Sequence, residues 1–515
     1  MSLLRNTLTQ SGLTFGSRIL GFLRDIFIAS KLGAGPIADA FVTALMFPNL
    51  FRRVFAEGAF AQAFVPAYAR TLEAEGPEAA AEVARQTLRA LFAATAALTI
   101  LAQLAMPLVM HVIHAGYSAS SESFRLAVVL TRITMPYLAC MALAALLSGV
   151  LNAAGRFALS AGAPTLLNVF LIFAALSGTG AGQTAYLASW AVLFAGLAQA
   201  ALLWWGVRRQ KVRLSLGWPR LTPDVRRIIG LAIPGTIAAS GMQVNILVSQ
   251  ALASFEAGAK SWLFYADRLY QLPLGIVGVA VGVAILPRLA RAARGGDGAA
   301  GHILMDNGIG LAMALTLPAS VALMLAPDYL ISGLYERGAF LAEDARQAGR
   351  ALVHFGWGVP AFVLIKVVAP AYFAREDTMT PMRYSLVAIG LNTIVGAGLF
   401  IWLRSLGQDG FPGLAIATSF AAWVNAGALM IGLYRRDWYR PGGALVFRLA
   451  ASLVASLLMG AALYVLRLDP NLMTALVPGS RFVEVIIFIL IGICIYMAGA
   501  LAFGAVRLKD FTSVK

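Results

Sequence analysis

Charge is what this chain has least of: Asp, Glu, Lys and Arg make up 12% of its 515 residues, where soluble proteins carry about a quarter. With 60% hydrophobic residues and a mean hydropathy of +0.78, that scarcity excludes a soluble enzyme. Cysteine is nearly absent. Cys140 and Cys494 stand far apart in apolar runs, so neither a disulfide framework nor a CxxC-type metal site can be read, and both are expected to be small core hydrophobes. There is no P-loop, no HExxH, no nucleophile elbow and no aspartate-rich metal motif, which leaves nucleotide-driven transport and metal-assisted chemistry without support. His111 and His114, three apart with no third ligand nearby in sequence, read as interfacial residues rather than a metal pair. Acids are scarcer than bases, 24 against 40, and in a multi-span membrane protein such a surplus belongs to cytoplasmic loops rather than to a nucleic-acid surface. Arg18, Arg24 and Asp25 interrupt the apolar region a cleaved signal peptide needs, so the first span is expected to stay in the protein.

What fills the chain is apolar sequence. A ruler of about 20 residues finds fourteen stretches, centred near residues 18, 52, 97, 138, 167, 194, 239, 276, 314, 361, 391, 422, 455 and 493. Only helices or closed barrels satisfy their backbone in lipid, and runs this long without alternation are helical. The predicted fold is an all-α polytopic membrane protein with 14 transmembrane helices. Twenty-four Lys and Arg fall in loops on one side and nine on the other, including Lys31, Arg125 and Lys260, so both termini are predicted to lie in the cytoplasm. The densest cluster, Arg208 to Arg227, falls between spans six and seven, where a cytoplasmic linker would meet anionic headgroups.

An internal echo divides the chain. Ala38-Asp39, Pro48 and Pro66-x-x-Ala69-Arg70 are answered by Ala266-Asp267, Pro273 and Pro287-x-x-Ala290-Arg291 six spans later. An even displacement makes the repeat parallel, giving two six-helix lobes with pseudo-twofold symmetry. The expected organisation is an N-terminal lobe at 1–207 (spans one to six), a basic cytoplasmic linker at 208–227, a C-terminal lobe at 228–437 (spans seven to twelve), and spans thirteen and fourteen added at 438–515.

Seven cations remain inside spans: Arg18, Arg24, Arg52, Arg53, Arg132, Arg268 and Lys366. At roughly 2.5 to 3.5 kcal/mol each, facing lipid would cost on the order of 20 kcal/mol, more than a protein's net stability. They must meet a wet cavity or acids. Four acids share that depth, Asp25, Asp39, Glu57 and Asp267, so positive charge is left over even if all of them pair. Such an interior suits an anion, and arginine's planar fork suits phosphate oxygens. Structural readings compete at single positions. Arg53 and Glu57, four apart, can pair along one helix, and Arg132 can snorkel outward. Arg24 can pair close to Asp25. Arg18 and Arg24 point about 120° apart, so both reach one cavity only if the first helix bends or borders it broadly. Lys366 can face a cavity or lose its proton on burial. Mid-span prolines (Pro48, Pro136, Pro164, Pro234, Pro273, Pro318, Pro360) and fifty glycines predict helices that bend, as alternating access requires.

The residues then match a known pattern. Ser17-Arg18, Gly21-Phe22-Leu23-Arg24-Asp25, Ala38-Asp39-Ala40-Phe41 and the block Pro48 to Phe60 closely resemble the MurJ (MviN) family of lipid II flippases. Tyr265-Ala266-Asp267-Arg268-Leu269, Pro164 with Leu166-Leu167-Asn168, and Lys366-Val367-Val368-Ala369-Pro370 extend the resemblance over essentially the whole chain. It implies membership of the multidrug/oligosaccharidyl-lipid/polysaccharide exporter superfamily and a non-enzymatic transporter in the bacterial inner membrane. Its cargo would be lipid II, the undecaprenyl-pyrophosphate-linked disaccharide-pentapeptide, and its partners membrane lipids and the cell-wall synthesis machinery, with no nucleic acid. The family's substrate-binding positions carry over to Arg18, Arg24, Arg52, Arg268, Ser17 and Lys366, and supporting or gating positions to Asp25, Asp39, Arg53, Glu57 and Asp267. Spans thirteen and fourteen would shape a groove for the polyprenyl tail. No cofactor is implied beyond dependence on membrane potential. Some relatives carry a lysine where Met46 stands here and a glutamate at Gln271. Others bind sodium through carboxylates, whereas spans seven and eleven here offer Asn245, Asn392 and Thr393 but no acid, which counts against such a site. The rivals are a flippase for another polyprenyl-linked glycan, a drug exporter, a membrane enzyme acting on polyprenyl phosphates, and a scaffold.

Overall fold

The computed structural model describes residues 3–55, 59–294, 298–468 and 480–506. Among these, every regular element is a helix. Each of the fourteen predicted centres falls inside one, and among the described residues ten helical segments, three of them running across a short break, are long and apolar enough to cross a membrane by length and composition. Helix Pro77–Ile113 shows what that means physically. Leu101, Leu104, Leu108 and Val112 recur on one face and are all more than 60% exposed, an outward apolar stripe that only lipid would cover.

Proline acts in two ways. Pro318 sits inside the unbroken helix Gly298–Leu325, and Pro107 inside Pro77–Ile113. At Pro136 the chain stops instead: helix Glu122–Thr134 gives way to Tyr137–Ala153 through short turns from Leu138 N–H to Met135 C=O (3.0 Å) and from Ala139 N–H to Pro136 C=O (3.2 Å). Pro164 separates Phe157–Gly162 from Thr165–Ser177, and Pro360 opens Val359–Phe373 after the break that ends Ala342–Gly356. Missing N–H groups remove the i to i−4 bond, and a short turn is the local remedy. The fourth and tenth predicted spans are both broken midway, an echo at the same six-span displacement that the sequence shows.

By contacts the chain divides into two compact units, residues 1–261 with 337–340 and residues 262–336 with 341–515. In the first, helix Leu3–Leu32 packs on Thr165–Ser177, and Pro36–Phe55 on Glu122–Thr134. Helix Pro223–Ala253 packs on Ala59–Ala74 and Pro77–Ile113. The sequence boundaries at 207 and 228 differ from this division because apolar periodicity identifies a helix without saying which neighbour receives its face. The expected linker is irregular only until Thr222, which caps helix Pro223–Ala253, so its last arginines already lie on a helix. Arg209 stacks on Trp205 at 4.1 Å, and Arg89 donates to the Ser215 carbonyl at 3.1 Å.

Residues 337–340 join the first unit through a close backbone approach. Ala339 N–H donates to the Ser30 carbonyl at 2.8 Å, where the first helix ends. Gly338 holds φ +60° there, and a Cβ on it would stand 2.2 Å from the Ser30 oxygen, so only glycine fits. In the second unit, Gly443–Leu468 packs against Gly298–Leu325 and against Arg481–Ala502. An apolar core there gathers Met305, Ile309, Val363, Val367, Tyr372 and Leu429.

Candidate functional site

The first helix carries Arg18 and Arg24 in different surroundings. Arg18 is exposed, while Arg24 is 8% exposed and Asp25 4%. Arg24 Nε and Nη2 both donate to Asp25 Oδ1, at 2.9 and 2.6 Å, and Nη1 donates to Asn168 Oδ1 at 2.9 Å. Asn168 in turn donates to the Ser17 carbonyl at 2.9 Å and approaches Ser17 Oγ at 3.5 Å. Helix Thr165–Ser177, restarted by Pro164, supplies that asparagine. Adjacent residues on a helix point about 100° apart, yet the long guanidinium folds back onto its neighbour. The pairing of Arg24 with Asp25 is therefore realised, and Asn168 fixes its orientation.

A second cluster lies where helix Pro36–Phe55 meets the end of Pro77–Ile113 and the first turn of Ala259–Arg294, all within the first unit. Asp39 is fully buried. Its Oδ1 accepts from Ser261 N–H (3.0 Å) and Ser261 Oγ (2.7 Å), and its Oδ2 from Gly258 N–H (2.8 Å) and the Tyr117 hydroxyl (2.9 Å). A carboxylate at the start of a helix meets unpaired N–H groups and the positive end of the dipole. Lys260, also fully buried, donates to Thr43 Oγ1, the Ile113 carbonyl and His114 Nδ1. Burial and then the Asp39 carboxylate push the Tyr117 hydroxyl's ionisation up, so it stays a donor. Sequence reasoning placed Lys260 in an outer loop and His114 at an interface; both are corrected to buried positions. One signal was available: a cation in the first turn of a helix opposes the dipole, so a lysine there needs partners of its own.

The remaining expected residues divide by unit. Arg268 is half-buried, with its guanidinium 4.7 Å from the centre of the Phe264 ring, and Asp267 accepts from Gln271. Lys366 is exposed on Val359–Phe373. Arg132 is exposed and donates to the Gln103 carbonyl at 3.1 Å, a backbone contact on the neighbouring helix. The side chains of Arg52 and Arg53, and Glu57 altogether, lie outside the described residues. Among the described residues, no group of three His, Cys, Asp or Glu could hold a metal ion.

A family profile described as lipid II flippase MurJ matches residues 28–485. A probable lipid II flippase MurJ of Rhizobium tropici is 42% identical over 513 residues, covering 98% of this chain and 95% of its own. Among solved structures, a lipid II flippase MurJ in an inward closed conformation superposes with a TM-score of 0.78 at 25% identity, covering 96% of this chain and 98% of its own. An inward-facing multidrug resistance MATE family transporter of the MOP superfamily matches in fold alone, with a TM-score of 0.66 at 14% identity over 84% of this chain and 98% of its own.

Proposed function

Because the chain belongs to the lipid II flippase MurJ family, we propose that it moves lipid II from the cytoplasmic to the periplasmic leaflet of the inner membrane by alternating access. The observation that carries the reading is the family match over residues 28–485, joined to basic residues at span depth that the apolar sequence around them cannot explain. The cargo's pyrophosphate carries the negative charge that those residues would neutralise. Arg18, Arg52, Arg268 and Lys366 are the ligands in this reading, with Ser17 beside them. Arg24, held by Asp25 and Asn168, presents its guanidinium at a fixed angle. Asp39, Arg53, Glu57 and Asp267 support the path.

Transport needs no covalent step, so the protein acts as a carrier rather than an enzyme. Fourteen spans follow from the apolar runs, and the charge count puts both termini in the cytoplasm. The two-lobe organisation is part of the same proposal, and spans thirteen and fourteen give the polyprenyl tail a groove. A potential negative inside would return an empty basic path toward the cytoplasm, since each charge crossing the full field is worth about 2.3 kcal/mol per 100 mV. Depleting the protein in cells and probing whether the lipid-linked precursor can be modified from outside tests the proposal. External modification should fall sharply on depletion and return with the wild-type chain. Undiminished modification would overturn it.

A further inference from the structure

The hydrogens of the buried polar cluster can be counted, and the count closes in one way. Lys260 Nζ has three acceptors, Thr43 Oγ1 at 2.9 Å, the Ile113 carbonyl at 2.9 Å and His114 Nδ1 at 2.8 Å, one for each N–H of an ammonium. Thr43 spends its own hydrogen on the Asp39 carbonyl at 2.8 Å. Ser123 spends its hydrogen on the Pro36 carbonyl at 2.8 Å, so its oxygen must accept from His114 Nε2 at 3.1 Å. The imidazole is therefore neutral, with its hydrogen on Nε2 and its lone pair on Nδ1 facing the ammonium. Asp39 accepts four bonds and has no room for a hydrogen of its own. One ammonium, one carboxylate and one neutral ring leave no net charge. A second proton on Nδ1 would face the ammonium at 2.8 Å in a buried setting, where like charges are costly.

We infer that His114 is a proton-binding site that only the opened cluster can fill, so that acid releases the first turn of helix Ala259–Arg294 from helices Pro36–Phe55 and Pro77–Ile113. The sign follows from linkage. A freed imidazole binds a proton below about pH 6.5, whereas the closed cluster binds none, so each further unit of acid favours opening about tenfold. Between pH 7.5 and 5.0 the gain is roughly thirty-fold. In the closed cluster three acceptors hold Lys260 as ammonium and four donors hold Asp39 as carboxylate, while Tyr117, stacked on the ring at 4.3 Å, stays a phenol. Helix Glu122–Thr134 presents the neutral Ser123. His111, on the preceding helix, is exposed and meets the Pro107 carbonyl and the Phe124 ring rather than the cluster. On the proposed topology, the proton arrives from the periplasmic side. The inference concerns this cluster alone and stands whatever cargo is carried.

Hydrogen exchange on the full chain in lipid nanodiscs tests it, read at the Gly258 and Ser261 amides that donate to Asp39 and expressed as protection against the intrinsic rate at each pH. Protection in the wild type should fall roughly thirty-fold from pH 7.5 to 5.0. His114→Asn keeps an oxygen toward Lys260 and cannot be protonated, so its protection should not change with pH, while His111→Asn should behave as wild type. Wild-type protection that is flat with pH, an equal fall in His114→Asn, or a fall abolished by His111→Asn would each overturn the inference. Nitrogen NMR of the wild-type imidazole gives a reading that needs no variant. A neutral Nε2–H ring at pH 7.5 supports the assignment, and an Nδ1–H or cationic ring at that pH defeats it.

Discussion

Arg24 and Lys260 are both buried cations of the first unit, and the protein treats them differently. Three nitrogens of Arg24 reach Asp25 and Asn168, but a guanidinium has five N–H groups, and among the described residues these bonds use one from each nitrogen. Lys260 has three N–H groups and three acceptors, with the Asp39 carboxylate alongside. One group is oriented with donors to spare. The other is saturated. A saturated charge cannot take a further ligand without breaking what it already holds, so it fastens helices, whereas an oriented but unsaturated one can still meet an anion. Buried charge alone therefore does not mark a binding residue; the donors left over do.

The sharpest way to break this comparison is to remove Lys260. Lys260→Met should cost about 3–5 kcal/mol, because Asp39 is left as an unmatched buried carboxylate. Adding Asp39→Asn should recover a good part of that loss, since the charge then disappears with its partner. Unfolding in detergent checks both, and a single variant as stable as the parent would mean that Lys260 is not a fastener. Next in size is Arg24→Ala, expected to lose about 1.5–3 kcal/mol with the bonds to Asp25, and to lose transport as well. Arg18→Ala should abolish transport while leaving stability within about 0.5 kcal/mol, because Arg18 is exposed. If Arg18→Ala destabilised as much as Arg24→Ala, the two positions would not differ in the way proposed. Asn168→Ala should cost about 1 kcal/mol by freeing the guanidinium and the Ser17 carbonyl, with a smaller drop in transport than either arginine change.

The helices were legible in the sequence because burial in lipid imposes long apolar runs, and each predicted centre falls within a helix. The family was legible because the block from Pro48 to Phe60 is distinctive. The broken helices were half legible: prolines predicted bends, but Pro136 and Pro360 stand where a new helix starts after a break whereas Pro318 lies inside an unbroken one, and that choice depends on what the neighbouring helices tolerate. Lys260 was hidden for a different reason. In Glu256-Ala257-Gly258-Ala259-Lys260-Ser261 it looks like an ordinary loop lysine, and its partners Thr43 and His114 lie well over a hundred residues away. Arg24 was legible as a residue that must be matched, and Asp25 as one candidate partner. Asn168 stood out within the family motif, but nothing in its spacing tied it to Arg24.

The smallest effect is expected at an exposed pair in the second unit, and it calibrates the other two. Asp377, in the turn between Phe373 and Met379, accepts from Thr380 N–H at 2.9 Å and pairs with Arg436. The Thr380 bonds, with a lesser contribution from Arg436, hold the carboxyl down at about 2. The folded value lies below the free one of about 3.9, so the contribution is complete above that pH and fades as pH falls toward 2. Asp377→Asn should therefore cost less than about 1 kcal/mol at pH 7, and the gap between variant and parent should close on acidification. Raising salt to about 1 M, where screening acts within about 3 Å, should shrink the Arg436 share of the loss yet leave that of Lys260→Met unchanged. Equal salt sensitivity at the two positions would mean that the Lys260 cluster is open to solvent, and the contrast between saturated and unsaturated charge would lose its footing.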